Sequence, residues 1–178
     1  MKIINWKNIK LRDFAEVISK LLKENGINAV LVGGACVSIY SHNKYASLDL
    51  DYISPATTET IERVLINIGF SRKGNIRQFK NDGCPFYIEF PPGPVSIGNE
   101  GPINKFAQIG AITLLTPTDC VKDRLAAFIH WDDEQSLKQA LLVAKAQKIN
   151  LKEIKRWAIK EGREDKYNKF ESLLQEKK

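Results

Sequence analysis

The chain has 178 residues, with 43% hydrophobic and 27% charged side chains, which is typical of an ordinary globular protein. This length allows one well-buried core and excludes two independent large ones. Charged residues interrupt the apolar stretches between Met1 and Lys20, and no later window approaches a membrane span. We therefore expect a cytoplasmic protein that is not bound to membranes. The net charge of +6 favours polyanionic partners, such as nucleic acid or nucleoside triphosphates.

The first part of the chain alternates between helix and strand patterns. Apolar residues recur at helical spacing from Leu11 to Leu22, where Asn5 or Asn8 can cap the helix and Gly26 follows its end. The short apolar run 30–32 predicts a buried strand that stops at Gly33 and Gly34, in a turn that needs backbone freedom. A short helix follows this turn. After the next strand, the segment 54–59 supplies capping residues for a helix that ends at Gly69.

The strand predicted from Ser47 to Ile53 carries two acids in alternate positions. Because alternate side chains of a strand share a face, Asp49 and Asp51 point together, while Leu48 and Leu50 pack behind them. Two carboxylates held this close repel each other, and the arrangement favours a cation between them. The alternative interpretation is an edge strand with one face exposed to solvent.

The region from Phe70 to Ser96 has the pattern of short strands. A strand is predicted from Ile76 to Phe79, and Asn81-Asp82-Gly83 predicts a hairpin turn because these residues tolerate left-handed backbone angles. The returning strand, 86–90, is largely apolar and contains one acid, Glu89. A further strand is expected over 106–115.

A helix start is predicted at Thr116-Pro117-Thr118-Asp119, which combines a capping hydroxyl, a proline at the first helical position and an early acid. Further helices are expected after Asp132 or Asp133 and after Asn150. The sequence thus predicts an α+β fold in two parts. Residues 1–115 form a core with a small mixed sheet flanked by helices, and residues 116–178 form a helical region packed on it.

The residues Gly33-Gly34, the short helix and Ser47-x-Asp49-x-Asp51 together resemble the signature of the DNA polymerase beta-like nucleotidyltransferase superfamily. The resemblance is to its small bacterial and archaeal members, including minimal, abortive-infection and toxin-antitoxin nucleotidyltransferases. The later pattern Thr116-Pro117-x-Asp119, followed by Arg124-Leu125-x-Ala127, is also similar to that group. The resemblance implies the nucleotidyltransferase fold.

Nucleotidyl transfer needs a divalent metal at the phosphate oxygens, and hard cations such as Mg²⁺ or Mn²⁺ take carboxylate oxygens. Asp49 and Asp51 are therefore the predicted catalytic metal ligands. The resemblance implies a third acid one or two strands later. Glu89 is the best match, as a further metal ligand and catalytic residue that helps to activate the attacking hydroxyl, and Asp82 is the alternative, although the hairpin turn already explains an acid there.

Other residues are candidates for binding the nucleotide. The turn at Gly33 and Gly34 lets backbone N–H groups approach a phosphate at the start of the following helix, unless it is a plain strand-to-helix turn. Ser38, one turn into that helix, offers a hydroxyl, and Ser47 either contacts the triphosphate or caps its own strand. Arg124 lies where relatives often have a lysine, and either reaches the nucleotide or lies on the helix surface.

The resemblance implies an enzyme that moves a nucleoside monophosphate from ATP or another nucleoside triphosphate to a hydroxyl group. A protein, a tRNA end and a small molecule are all candidate acceptors, and the active cleft is expected between the two parts of the chain. The alternative is a non-catalytic binding protein of the same fold that acts as an antitoxin or regulator. A second copy of the chain and a toxin–antitoxin partner are further candidate partners.

Overall fold

The computed structural model describes residues 5–72, 74 and 77–176. Within these residues, seven α-helices accompany a mixed sheet of six strands, so the predicted α+β class is confirmed. Ile76, the predicted first residue of a hairpin strand, lies outside the described residues. Among the described helices, none is both long enough and apolar enough to cross a membrane.

The chain divides into two compact units, each assembled from separate segments. The first, which we call the sheet unit, comprises Met1–Ala35, Ser47–Pro94 and Gln108–Leu114. The second, the helical unit, comprises Cys36–Ala46, Val95–Ala107 and Leu115–Lys178. The two units therefore alternate along the sequence.

The sheet has the strand order β3-β4-β2-β1-β6-β5. Its strands are β1 (Val30–Val32), β2 (Asp49–Ile53), β3 (Gln78–Phe79), β4 (Tyr87–Glu89), β5 (Ala107–Ile109) and β6 (Ile112–Leu114). Strand β2 lies between β1, with which it pairs antiparallel, and β4, with which it pairs parallel. The strand that carries the two aspartates is thus an interior strand, and the edge-strand interpretation is wrong.

Burial alternates along β2, as the sequence predicts. Leu50 and Tyr52 are fully buried, whereas Asp49 and Asp51 on the opposite face are partly exposed. The Tyr52 hydroxyl lies 2.7 Å from the Ser19 hydroxyl, so its polar end is satisfied inside the core. This anchored apolar face fixes which way the two acids point.

The helices of the sheet unit bury the apolar faces that their periodicity predicts. They are α1 (Leu11–Glu24) and α3 (Thr58–Leu65), and Thr57 caps α3 by accepting the Thr60 N–H. The Phe14 ring of α1 stacks on Phe70 at 5.5 Å between ring centroids. The short helix α2 (Gly33–Tyr40) follows β1 directly, so its first residues lie beside the acidic strand.

The helical unit contains four longer helices, α4 (Pro117–Trp131), α5 (Glu134–Ala146), α6 (Leu151–Lys160) and α7 (Glu164–Gln175). Three of them begin at side-chain caps, where Thr116, Asp133 and Asn150 accept backbone N–H groups. These caps satisfy donors that a helix start leaves without an internal partner. The predicted starts at Thr116 and Asn150 are confirmed, and Asp133 is the cap of α5.

Three local predictions are wrong. The segment 106–115 forms two strands, β5 and β6, because Gly110 between them takes the left-handed value φ +58°. Asn5 caps a short 3-10 helix, Trp6–Asn8, whereas Lys10 precedes α1 without a side-chain cap. Leu48 is 65% exposed because β2 begins only at Asp49.

Candidate metal centre

Three acids converge on one face of the sheet. Strand pairing places Asp51 of β2 beside Glu89 of β4, and Asp49 lies two residues before Asp51 on the same face. Each of the three side chains offers one oxygen, and these oxygens all lie within 4.8 Å of one another. The structure therefore brings together the three acids that the sequence singled out.

Neighbouring side chains hold two of these carboxylates in place. Ser47 donates a hydrogen bond to Asp49 Oδ1 at 2.7 Å, and the Tyr87 hydroxyl donates to Asp49 Oδ2 at 3.3 Å. Gln78 Nε2 of β3 donates to Glu89 Oε1, as expected from the cross-strand pairing of these residues. Such bonds orient a carboxylate before any ligand arrives.

Tyr87 and Lys80 shape the electrostatics around the acids. Burial, then the Asp49 carboxylate beside it, and more weakly Glu89 and Asp51, raise the pKa of the Tyr87 hydroxyl. The hydroxyl thus stays protonated and keeps donating to Asp49. Lys80 Nζ lies 5.1 Å from the centre of the Tyr87 ring, which places a cation near the acidic cluster.

Because Gly33 has no side chain, the Asp51 side chain can occupy the space beside it. Its φ is +69°, in the left-handed region, and a Cβ atom built there would lie 2.5 Å from Asp51 Oδ2. The cross-strand register explains this closeness, because Val32 of β1 pairs with Asp51. Gly34 follows as the second residue of α2, so the glycine pair lies at the point where β1 gives way to the helix.

The other candidate residues have partners of their own. Ser47 donates to the carboxylate and to the backbone carbonyl of Asp49, and its contact with the triphosphate stays a prediction. Ser38 is buried in the helical unit and donates to Asn43 Oδ1 at 3.3 Å. Asp82 is exposed in the hairpin turn, and it is not among the acids that cluster within the described residues.

Arg124 lies on α4 of the helical unit and forms an ion pair with Asp123. Burial disfavours its charge, but the adjacent Asp123 carboxylate and its hydrogen bond raise the pKa of the guanidinium above its ordinary value. A further hydrogen bond links Arg124 Nη1 to Gln139 Oε1 at 3.4 Å. The nucleotide contact predicted for this residue stays a prediction.

Sequence reasoning missed Tyr87 and Gln78. A signal for Tyr87 was present, because it stands two residues before Glu89 and therefore shares its strand face. Gln78 follows from hairpin register, which pairs it with Glu89 once the turn is placed. Both side chains are uncharged, and each donates a hydrogen bond to one of the clustered carboxylates.

The donor set fits a hard divalent cation. The three acids offer carboxylate oxygens, which Mg²⁺ and Mn²⁺ prefer, and their spacing suits a shared ion. The mutual repulsion of three neighbouring carboxylates also favours a bound cation. Asp49, Asp51 and Glu89 are the residues that could hold it.

Comparisons with models of protein families, with curated proteins and with solved structures give no match for this chain. The resemblance to nucleotidyltransferases therefore depends on the sequence motifs alone.

Proposed function

We propose that this protein is a nucleotidyltransferase of the DNA polymerase beta-like type that depends on Mg²⁺ or Mn²⁺. It moves a nucleoside monophosphate from a nucleoside triphosphate to a hydroxyl acceptor. The observation that carries this proposal is the convergence of Asp49, Asp51 and Glu89 from two paired strands, with their oxygens within 4.8 Å. The close approach of Gly33 to Asp51 supports it, because it sets the start of α2 beside the acids.

The carboxylates of Asp49, Asp51 and Glu89 would hold the metal. A divalent ion held there would supply positive charge to the triphosphate oxygens, which would favour attack at the α-phosphorus. Ser47 and Tyr87 keep Asp49 oriented, and Gln78 does the same for Glu89. Because these contacts exist before substrate binds, little reorganisation is needed at the moment of reaction.

Glu89 has a second task, as the base for the acceptor. The acceptor hydroxyl oxygen forms a bond to the α-phosphorus, and its proton passes to the Glu89 carboxylate. The bond between the α-phosphorus and the oxygen that bridges to the β-phosphate breaks, and pyrophosphate leaves with that electron pair. Backbone N–H groups of Gly33 and Gly34 bind a phosphate of the triphosphate.

The acceptor belongs to a hydroxyl-bearing class that includes proteins, tRNA ends and small molecules. A net charge of +6 favours acceptors that are themselves anionic. A second copy of the chain, or a partner in a toxin–antitoxin pair, would add a regulatory contact to this chemistry.

The test is transfer of label from α-labelled ATP, CTP, GTP or UTP in the presence of Mg²⁺, with and without total tRNA or cell extract. We expect labelled product from the wild-type protein and a loss of at least about 100-fold in Asp49→Asn, because a direct ligand should matter at least as much as a supporting residue. The matched control is Asp82→Asn, which removes an exposed acid from the turn between β3 and β4 and should leave transfer unchanged.

Two outcomes would contradict the enzyme. If neither transfer nor metal-dependent nucleotide binding occurs, the acidic cluster does not serve nucleotides. If metal-dependent binding occurs without transfer to any acceptor fraction, the protein is a non-catalytic nucleotide-binding antitoxin or regulator.

A further inference from the structure

Arg77 of the sheet unit has no part in the chemistry described above. It precedes β3, where its backbone carbonyl accepts the Phe90 N–H at 2.9 Å. Its side-chain Nε is shielded from solvent and has no hydrogen-bond partner in the part of the chain that the structure describes. Buried donors in native proteins are normally paired with protein groups or ordered water, so this guanidinium has bonding capacity that the described residues leave unused.

A cavity lies beside this arginine. Its volume is about 450 Å³, within the range of small-molecule sites. It is lined by Arg77, Gln78, Glu89, Phe90, Pro91 and Pro92. The lining thus combines apolar residues with one basic residue, Arg77, and one acidic residue, Glu89.

We propose that this cavity binds the acceptor, and that the acceptor is a small hydroxyl compound carrying an oxyanion, either phosphate or carboxylate. This inference rests on the proposed nucleotidyl transfer. Guanidinium groups bind phosphate and carboxylate through paired N–H donors, and Arg77 supplies such a group to the lining of this cavity. Because Glu89 lines the same cavity, an anion held at Arg77 keeps the hydroxyl of a small compound near the base.

The strand order separates this site from the nucleotide. In the order β3-β4-β2-β1, Arg77 and Gln78 lie on the β3 side of Glu89. Asp51 of β2 and Gly33, at the end of β1, lie on the other side. Glu89 therefore lies between the proposed acceptor site, on the β3 side, and the proposed triphosphate site, on the β2 side. A base that activates the acceptor must lie between these two sites.

The experiment measures calorimetric binding of glycerol phosphate, glycerate and glycerol to the full chain, with Mg²⁺ and a non-hydrolysable nucleoside triphosphate analogue present. The two anions should bind more tightly than glycerol, and the better of them identifies the preferred oxyanion. Arg77→Gln should weaken anion binding at least about tenfold, as expected for loss of a charge-assisted pair. Arg77→Lys should retain part of the affinity.

The matched control is Arg63→Gln, which removes the same charge from an exposed position of α3 and should leave anion binding unchanged. Metal-dependent nucleotide binding should be equal in wild type and Arg77→Gln, which also establishes that the variant is folded. If Arg77→Gln weakens nucleotide binding as much as anion binding, Arg77 belongs to the triphosphate site and the proposal is wrong.

The remaining outcomes separate this inference from the proposed function. A wild-type protein that binds nucleotide with Mg²⁺ but binds neither anion better than glycerol overturns the acceptor site alone. A wild-type protein without metal-dependent nucleotide binding overturns the proposed function, and the acceptor role of the cavity with it.

Discussion

At Gly33, a single absent side-chain atom controls the position of Asp51, a proposed metal ligand. An alanine there would place Cβ 2.5 Å from Asp51 Oδ2, and it would also hold a left-handed backbone angle that disfavours side chains. We expect Gly33→Ala to displace the Asp51 carboxylate and weaken Mg²⁺ binding by about 10-fold to 100-fold, the range seen when a ligand loses its orientation. Calorimetric titration with Mg²⁺ measures this directly.

The control is Gly26→Ala. Gly26 has nearly the same backbone angle, φ +71°, but a Cβ there would meet no atom within 4 Å. Both variants should lose about 1–2 kcal/mol of stability from the left-handed angle, while Mg²⁺ binding should fall in Gly33→Ala alone. Equal metal affinity in the two variants would contradict a role for the Gly33 gap.

Among the secondary-structure elements, the hairpin β3–β4 positions Glu89 beside Asp49 and Asp51 of β2. Its turn is held by Asn81, whose Oδ1 accepts the Gly83 N–H at 2.8 Å. We expect Asn81→Ala to lower the free energy of unfolding by about 0.5–1.5 kcal/mol, the usual net value of a hydrogen bond, and to weaken Mg²⁺ binding as β4 loosens. Urea unfolding and Mg²⁺ titration measure the two effects.

Asn81→Asp is the comparison for this turn, since aspartate keeps the acceptor and suits the same backbone angles. It should remain close to wild type in both measurements. If Asn81→Ala and Asn81→Asp are equally destabilised, the side-chain acceptor does not stabilise the hairpin.

The same elements show which parts of the site are readable from sequence. Alternation along β2 is a local pattern, so it predicts that Asp49 and Asp51 share a face. The parallel pairing of β2 with β4 joins distant segments, and residue periodicity contains no information about the partner or its register. Glu89 was therefore reached through the resemblance, while its support from Gln78 became visible only with the register.

Across the whole molecule, the two units interleave along the chain. Periodicity reports which face of a segment is buried, and not which other segment covers it, so the sequence does not reveal this interleaving. Capping residues are local, and for that reason Thr116 and Asn150 were identified as helix starts.

Charge adds a pH dependence to the stability of the whole molecule. In the helical unit, Lys122 is buried and its Nζ lies 2.7 Å from Glu100 Oε2. Burial raises the pKa of Glu100, but hydrogen bonds from Lys122 and Arg156 outweigh it, so the net pKa lies below its ordinary value. The Arg156 hydrogen bond lowers the pKa of Glu153 in the same way.

A glutamate whose pKa is lowered by folding stabilises the folded state at pH values above its pKa in the unfolded chain, which is about 4.3. This contribution is lost as the pH falls through the pKa of the same group in the folded state. Acidification also increases the net charge beyond +6, which adds repulsion. We expect Glu100→Gln to be less stable than wild type at pH 7, and this gap to be smaller at pH 3, because the pH has then fallen toward the folded-state pKa of Glu100. Urea unfolding at both pH values measures the gap, and a gap that stays constant would contradict the ion pair as its origin.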